Sequence, residues 1–96
     1  MKTMYVYILE CSDDSYYTGV TNDLDLRVKQ HNENSDVESY TFSRRPVKLV
    51  YYELFNDALS AINFEKKIKG WTRAKKEALI AKDYGKLKLL SKKKFR

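Results

Sequence analysis

Residues 4–11, Met-Tyr-Val-Tyr-Ile-Leu-Glu-Cys, are mostly aromatic or β-branched and are apolar at both alternating positions. A half-wet strand would alternate with polar residues, so this pattern predicts a strand covered on both faces. Four turn formers follow, Ser12-Asp13-Asp14-Ser15, and a second short strand over 16–21 completes a hairpin. That hairpin puts Tyr7 and Tyr17 on neighbouring strands. Asn22 is placed to cap a helix over 23–32, with Asp23 and Asp25 in the first turn, where the macrodipole favours acids. The apolar stripe of this helix is Leu24 and Val28. Arg27 and His31 each lie three residues beyond one of them, so both border the face turned to the body of the protein.

From Glu33 to Pro46 the apolar period lapses into Asn, Ser, Asp and Thr, and the segment reads as a surface loop ending in Ser43-Arg44-Arg45-Pro46. A third strand is predicted over 47–54. Asn56 or Asp57 then caps a helix that stops at Gly70, Thr72 caps another through Ala81, and Asp83 caps a last one reaching Ser91. The order is β, β, α, β, α and short helices, without repeats. It predicts an α+β fold with a small, mainly antiparallel three-stranded sheet flanked by helices. At 96 residues the chain is read as one domain, with its core over about 4–90 and a fraying basic tail over 91–96.

Charge changes the picture. Residues 1–65 carry six bases and eleven acids, a net of −5, whereas residues 66–96 carry thirteen bases and two acids, a net of +11. Such asymmetry points to a polyanionic partner, against the blander alternative of a solvated lysine-rich helical surface. Cys11 is the single cysteine, which excludes an internal disulfide and a multi-cysteine zinc site and fits a reducing compartment. No run of about 18 apolar residues and no basic-then-apolar leader is present, so the expectation is a cytoplasmic protein without a membrane partner. A monomer is expected.

Glu65 is the most informative residue for chemistry. On a helical wheel it falls among Ala58, Ala61, Ile62 and Ile68, on the face its helix should bury, and acids are rarely buried without a partner or a metal. It is a carboxylate at the rim, or one paired with Lys69 or Arg27, or a ligand for a hard divalent cation that keeps most of its waters. Each tyrosine taken singly reads as a strand or core residue. Two phenols, a guanidinium, an imidazole and a carboxylate converging on one patch would nevertheless suit attack on a phosphodiester.

Tyr5-Val6-Tyr7, Tyr17-Thr18-Gly19, the run from Asn22 to Asn32 that carries Arg27 and His31, and Phe64-Glu65-Lys66-Lys67-Ile68-Lys69-Gly70-Trp71 together resemble the GIY-YIG nuclease superfamily, in its small single-domain bacterial branch. The resemblance runs from Met4 to about Leu90. It implies that Tyr7 and Tyr17 are the signature tyrosines, that Gly19 closes the second signature, that Arg27 is the helix arginine and His31 its neighbour one turn on, and that Glu65 binds the metal, Mg²⁺ or Mn²⁺. Tyr5 and Thr18 stand where the glycine and isoleucine that name the signatures would be, and Val20 lies where certain relatives have lysine.

The implied activity is a metal-dependent endonuclease hydrolysing DNA phosphodiester bonds, structure-selective or weakly selective, with DNA repair or recombination as its setting. Either Tyr7 or His31 activates water. The partner is DNA, branched or single-stranded among its forms, with RNA left open. Lys66, Lys69, Arg73, Lys75 and Lys76, with Arg44 and Arg45 of the loop, are expected to touch phosphates, and Trp71 is either a core or helix-junction aromatic or a ring on which an unpaired base stacks. The competing readings are a nucleic-acid-binding module that keeps the fold with little or no turnover, and an accessory protein whose basic tail docks elsewhere.

Overall fold

A computed structural model describes residues 3–33 and 39–92. Three strands, β1 (Met4–Glu10), β2 (Tyr16–Thr21) and β3 (Lys48–Phe55), form one sheet in the order β2-β1-β3, with both pairings antiparallel. Four helices flank it: α1 (Leu24–Glu33), α2 (Ala58–Lys69), α3 (Arg73–Ile80) and α4 (Tyr84–Ser91). This is the α+β arrangement the apolar pattern predicts, with β1 as the doubly covered central strand. Among the described residues, no helix is long and apolar enough to cross a membrane.

The hairpin closes through its turn formers. Asp14 takes a positive φ of 68°, which aspartate tolerates better than most residues. The Cys11 N–H bonds the Ser15 carbonyl at 2.8 Å, and the Asp13 carboxylate accepts from both the Ser15 N–H and its hydroxyl. Side chains of β1 then divide between two cores. Val6 and Ile8 pack with Tyr51, Ala61, Ile68 and Leu79 beneath α2 and α3, whereas Tyr7, Leu9 and Cys11 pack with Val47, Leu24 and Val28 beneath α1. Burying a large apolar side chain completely contributes about 1.5–3 kcal/mol, so β1 anchors both layers.

Caps follow the sequence closely. Asp57, Thr72 and Asp83 each accept a bond from the backbone N–H three residues on, opening α2, α3 and α4. At α1 the cap is Asp23 rather than the expected Asn22. Thr21 Oγ1 accepts from the Asp23 N–H, and Asp23 Oδ1 accepts from the Leu26 N–H, which delays the helix by one residue. The third strand likewise runs one residue later than expected, and its register against β1 shifts between Ile8 and Leu9. The expected loop contains a 3₁₀ turn, Phe42–Arg44, while its residues 34–38 lie outside the described residues, as do residues 93–96 of the basic tail. The Asn32 amide bonds both backbone groups of Val47, tying the end of α1 to the entry of β3.

Two neighbouring positions on β2 give opposite expectations. Thr18 pairs with Ile8 and buries a hydroxyl oxygen that has no hydrogen-bond partner, a cost that valine would remove at nearly the same volume. Thr18→Val should therefore raise the unfolding free energy by about 1 kcal/mol. Gly19 faces Tyr7, and a Cβ there would lie 2.6 Å from Tyr7 Cζ and closer still to its hydroxyl oxygen. Gly19→Ala should cost about 1–3 kcal/mol, as overpacking does. Urea denaturation of the two variants beside the parent checks both signs.

Candidate active site

Cross-strand partners share a sheet face, and Tyr7 lies opposite Gly19 while Leu9 lies opposite Tyr17. Tyr7 and Tyr17 thus point to the same side, with ring centroids 6.4 Å apart. Helix α1 covers that side and brings His31 between them. The Tyr7 hydroxyl is 2.9 Å from His31 Nε2, and His31 Nδ1 is 3.0 Å from the hydroxyl oxygen of Thr41. The Tyr17 ring meets the imidazole edge-on at 5.0 Å and contacts Tyr40 at 5.8 Å. A row of polar atoms runs from β1 through α1 to the loop, walled by tyrosines.

Burial sets the electrostatics. Tyr7 has no exposed surface, and burial, with the negative charge Tyr17 would carry, pushes its phenol up to about 12. The nearby Arg27 guanidinium pulls the other way, and the Glu65 carboxylate adds to the rise. His31 is pushed below its usual value of 6.5, chiefly by burial and then by the Arg27 charge, so it is neutral at pH 7. Arg27 and Glu65 thus act on the Tyr7 hydroxyl, His31 bonds it, and Tyr17 would act on it through charge only when ionised.

Glu65 sits on α2 with its side chain only 14% exposed, and Lys69 Nζ lies 3.4 Å from its Oε2. Of the wheel neighbours that suggested burial, Ala61 and Ile68 are buried, whereas Ala58 and Ile62 are exposed, so Glu65 stands at the border of the packed face. Among the described residues no group of three or more His, Cys, Asp or Glu converges as a metal cluster. The donor set fits a hard divalent ion that takes one carboxylate and completes its shell with water and substrate oxygen. The ammonium beside Glu65 belongs to a side chain 63% exposed, free to swing away.

The three arginines expected on phosphates are held by the protein. Arg44 bonds Asp13 at 3.0 Å and the Tyr40 carbonyl at 2.8 Å while lying 4.0 Å over the Tyr40 ring. Arg45 bonds the Phe42 carbonyl and lies over the Phe42 ring. Arg73 pairs with Glu77, bonds the Asp14 carbonyl and covers the Tyr16 ring. Lys66 is exposed, and Lys69 is the partner of Glu65. Lys75 lies 5.4 Å over the Trp71 ring, and Trp71 itself packs partly against the α2 side of the core. Lys76 is half-buried, and desolvation with the Lys69 charge lowers its pKa. Thr41 and Tyr40, which complete the site wall, carry no sequence signal, since both lie in a polar loop without periodicity.

A family profile described as the GIY-YIG catalytic domain matches residues 3–78. The chain belongs to the GIY-YIG family. Within that family it is similar to a UPF0213 protein of Clostridium perfringens, 49% identical over 77 residues that cover 80% of this chain and 82% of that one. A UPF0213 protein of Haloquadratum walsbyi is 48% identical over 75 residues, covering 78% and 83%. The solution structure of a UPF0213 protein from Bacillus halodurans superposes with a TM-score of 0.55 at 38% identity, covering 95% of this chain and 99% of that one. A second, from E. faecalis, gives 0.58 at 29% identity over 100% and 96%. GIY-YIG membership carries a nuclease fold and, with it, nucleic acid as the substrate class.

His31 is the only histidine in the sequence, so its titration can be followed without assignment. Its ring should titrate below 6.5 by proton NMR. Because the folded state holds this group neutral, the unfolded chain binds the extra proton first, and stability should fall as pH drops through about 6.5. Denaturation between pH 5 and 8 should show that component in the parent and lose it in His31→Gln.

Proposed function

We propose that the protein is a divalent-metal-dependent endonuclease that hydrolyses DNA phosphodiester bonds at the Tyr7, Tyr17, Arg27, His31 and Glu65 site. The observation that carries this reading is the 2.9 Å contact between the Tyr7 hydroxyl and a neutral imidazole, with a guanidinium and a carboxylate close by. A phenol pushed up to about 12 keeps its proton at neutral pH and is a poor base alone. The two candidate bases of the sequence act together: as the phenol oxygen takes a proton from the attacking water, its own proton passes to Nε2. Thr41 holds the other ring nitrogen and so fixes the imidazole plane.

Arg27 neutralises charge that develops on the phosphate oxygens as the water adds. Tyr17, partly exposed and in contact with both Tyr7 and His31, orients phosphate or water. Glu65 would hold Mg²⁺ or Mn²⁺, whose chemistry when bound is to offset charge on the leaving oxygen. Lys66, Lys69, Lys75 and Lys76 supply sequence-independent phosphate contacts, with Trp71 beside them. Arg44 and Arg45 brace the loop that carries Thr41, and Arg73 ties the start of α3 to the first hairpin. With contacts of that kind, cutting is structure-selective or weakly selective, and repair or recombination intermediates are the fitting substrates.

A second reading, nucleic-acid binding with little or no turnover, is favoured by the complete burial of Tyr7. The phenol is reached only if substrate opens a path past the rings that cover it. Labelled single-stranded, duplex, flapped and branched DNA, incubated with Mg²⁺, Mn²⁺ or EDTA, decides between the two. Cleavage should need the metal and fall by about 10²–10³ in Arg27→Ala, with a comparable loss in Glu65→Gln. It should also decline as pH drops through the lowered His31 pKa, since protonated imidazole accepts nothing. Cutting that survives EDTA or both substitutions overturns the mechanism, and binding without cutting on every substrate establishes the second reading.

A further inference from the structure

Away from Tyr7 and Tyr17, the end of α2, the start of α3 and the face of α4 that carries Tyr84, Leu87 and Lys88 border a cleft of about 380 Å³. Lys67, Trp71, Lys75, Tyr84, Leu87 and Lys88 line it, and none of the five site residues does. The lining brings three ammonium groups and no carboxylate around an aromatic and aliphatic floor. Trp71 and Leu87 pack against the core below, which fixes them, while Tyr84 stays 58% exposed at the first position of α4. A large ring left in water beside lysines is costly to leave empty and well matched to a flat, uncharged heterocycle carrying a phosphate.

We propose that this cleft binds an unpaired nucleotide in the stretch of strand beyond the cleaved bond, its base against Trp71 and Tyr84 and its phosphates on Lys67, Lys75 and Lys88. The inference rests on the nuclease reading for the identity of the polymer and adds what that reading lacks, a preference for DNA with a single-stranded segment.

Two arguments favour a single strand over a duplex. In a duplex each base spends its edge on its partner and its faces on the neighbouring pairs, so an aromatic floor is useful only to a base out of the stack. Path matters as well. Lys67 follows Glu65 by two residues, about 200° around the helix, so the cleft opens on the far flank of α2 from the carboxylate. Nucleic acid reaching both must bend around the Gly70–Trp71 end of α2. A single strand turns there freely, whereas duplex DNA is stiff over about 150 base pairs.

Trp71 is the only tryptophan in the chain, so tryptophan fluorescence reports on this cleft and the core beneath it. The full-length protein in EDTA, where no cutting intervenes, would be titrated with a ten-nucleotide oligothymidine, a blunt duplex of equal length, polyglutamate and anionic phospholipid vesicles. The oligothymidine should quench or shift the emission at concentrations at least 10-fold below those the other three require. Tyr84→Ala should weaken it by about 5–100-fold, the range of one lost base stack, while Tyr84→Phe retains most of the affinity. Lys67→Gln with Lys88→Gln should flatten the salt dependence. Equal response to the duplex, polyglutamate or vesicles overturns the proposal, as does unchanged affinity in a folded Tyr84→Ala. Because no step involves cleavage, the cleft stands or falls separately from turnover at Glu65.

Discussion

The hydroxyl of Tyr7 lies inside the protein with no surface to solvent, and a buried hydroxyl must find its hydrogen bond among protein groups. Its partner is His31 on α1, and most of the site follows from that requirement. For the phenol to reach the helix, its ring must cross the neighbouring strand, which only a residue without a Cβ permits, and Gly19 is there. For the imidazole to accept or donate in a fixed plane, its far nitrogen must be held, and Thr41 holds it. The loop that supplies Thr41 must in turn be braced, and the arginine and aromatic contacts around Tyr40 and Phe42 do this. One satisfied bond thus propagates through four segments distant in sequence.

Cationic residues divide the labour according to side-chain chemistry. The planar guanidiniums of Arg44, Arg45 and Arg73 stack on rings and fork onto carbonyls and carboxylates, which suits bracing. The lysines, compact charges on flexible stems, remain along α2, α3 and α4. The positive segment, residues 66–96, takes in the end of α2 with α3 and α4, and the negative segment holds the sheet, α1 and most of α2.

What could be read in advance followed from strong local rules. Both-face apolarity marked β1, turn formers marked the hairpin, and short polar side chains marked three of four helix starts. Asn22 does not cap, because Thr21 captures the Asp23 N–H and shifts the cap to Asp23, a local choice among three adjacent polar side chains that no propensity contains. The convergence of Tyr7, Tyr17, Arg27 and His31 was legible because strand parity and helical spacing fix directions. The placement of Glu65 was half legible, since its wheel neighbours split between buried and exposed. Thr41 was not legible at all, being a single buried threonine in an aperiodic loop. Nor could a count of basic residues show that Arg44 folds back onto Asp13, since that depends on contacts across 31 positions.

The Arg44 to Asp13 pair has a mechanical meaning. The Ser12 N–H also bonds the Arg44 carbonyl, so the tip of the first hairpin and the loop behind His31 are fastened at two points. The β-turn is thus a remote support of the imidazole: a disturbance at Asp13 travels through Arg44 and the 3₁₀ turn to Thr41 without crossing the core. The shape around the Tyr7–His31 pair is held in part from the tip of the first hairpin.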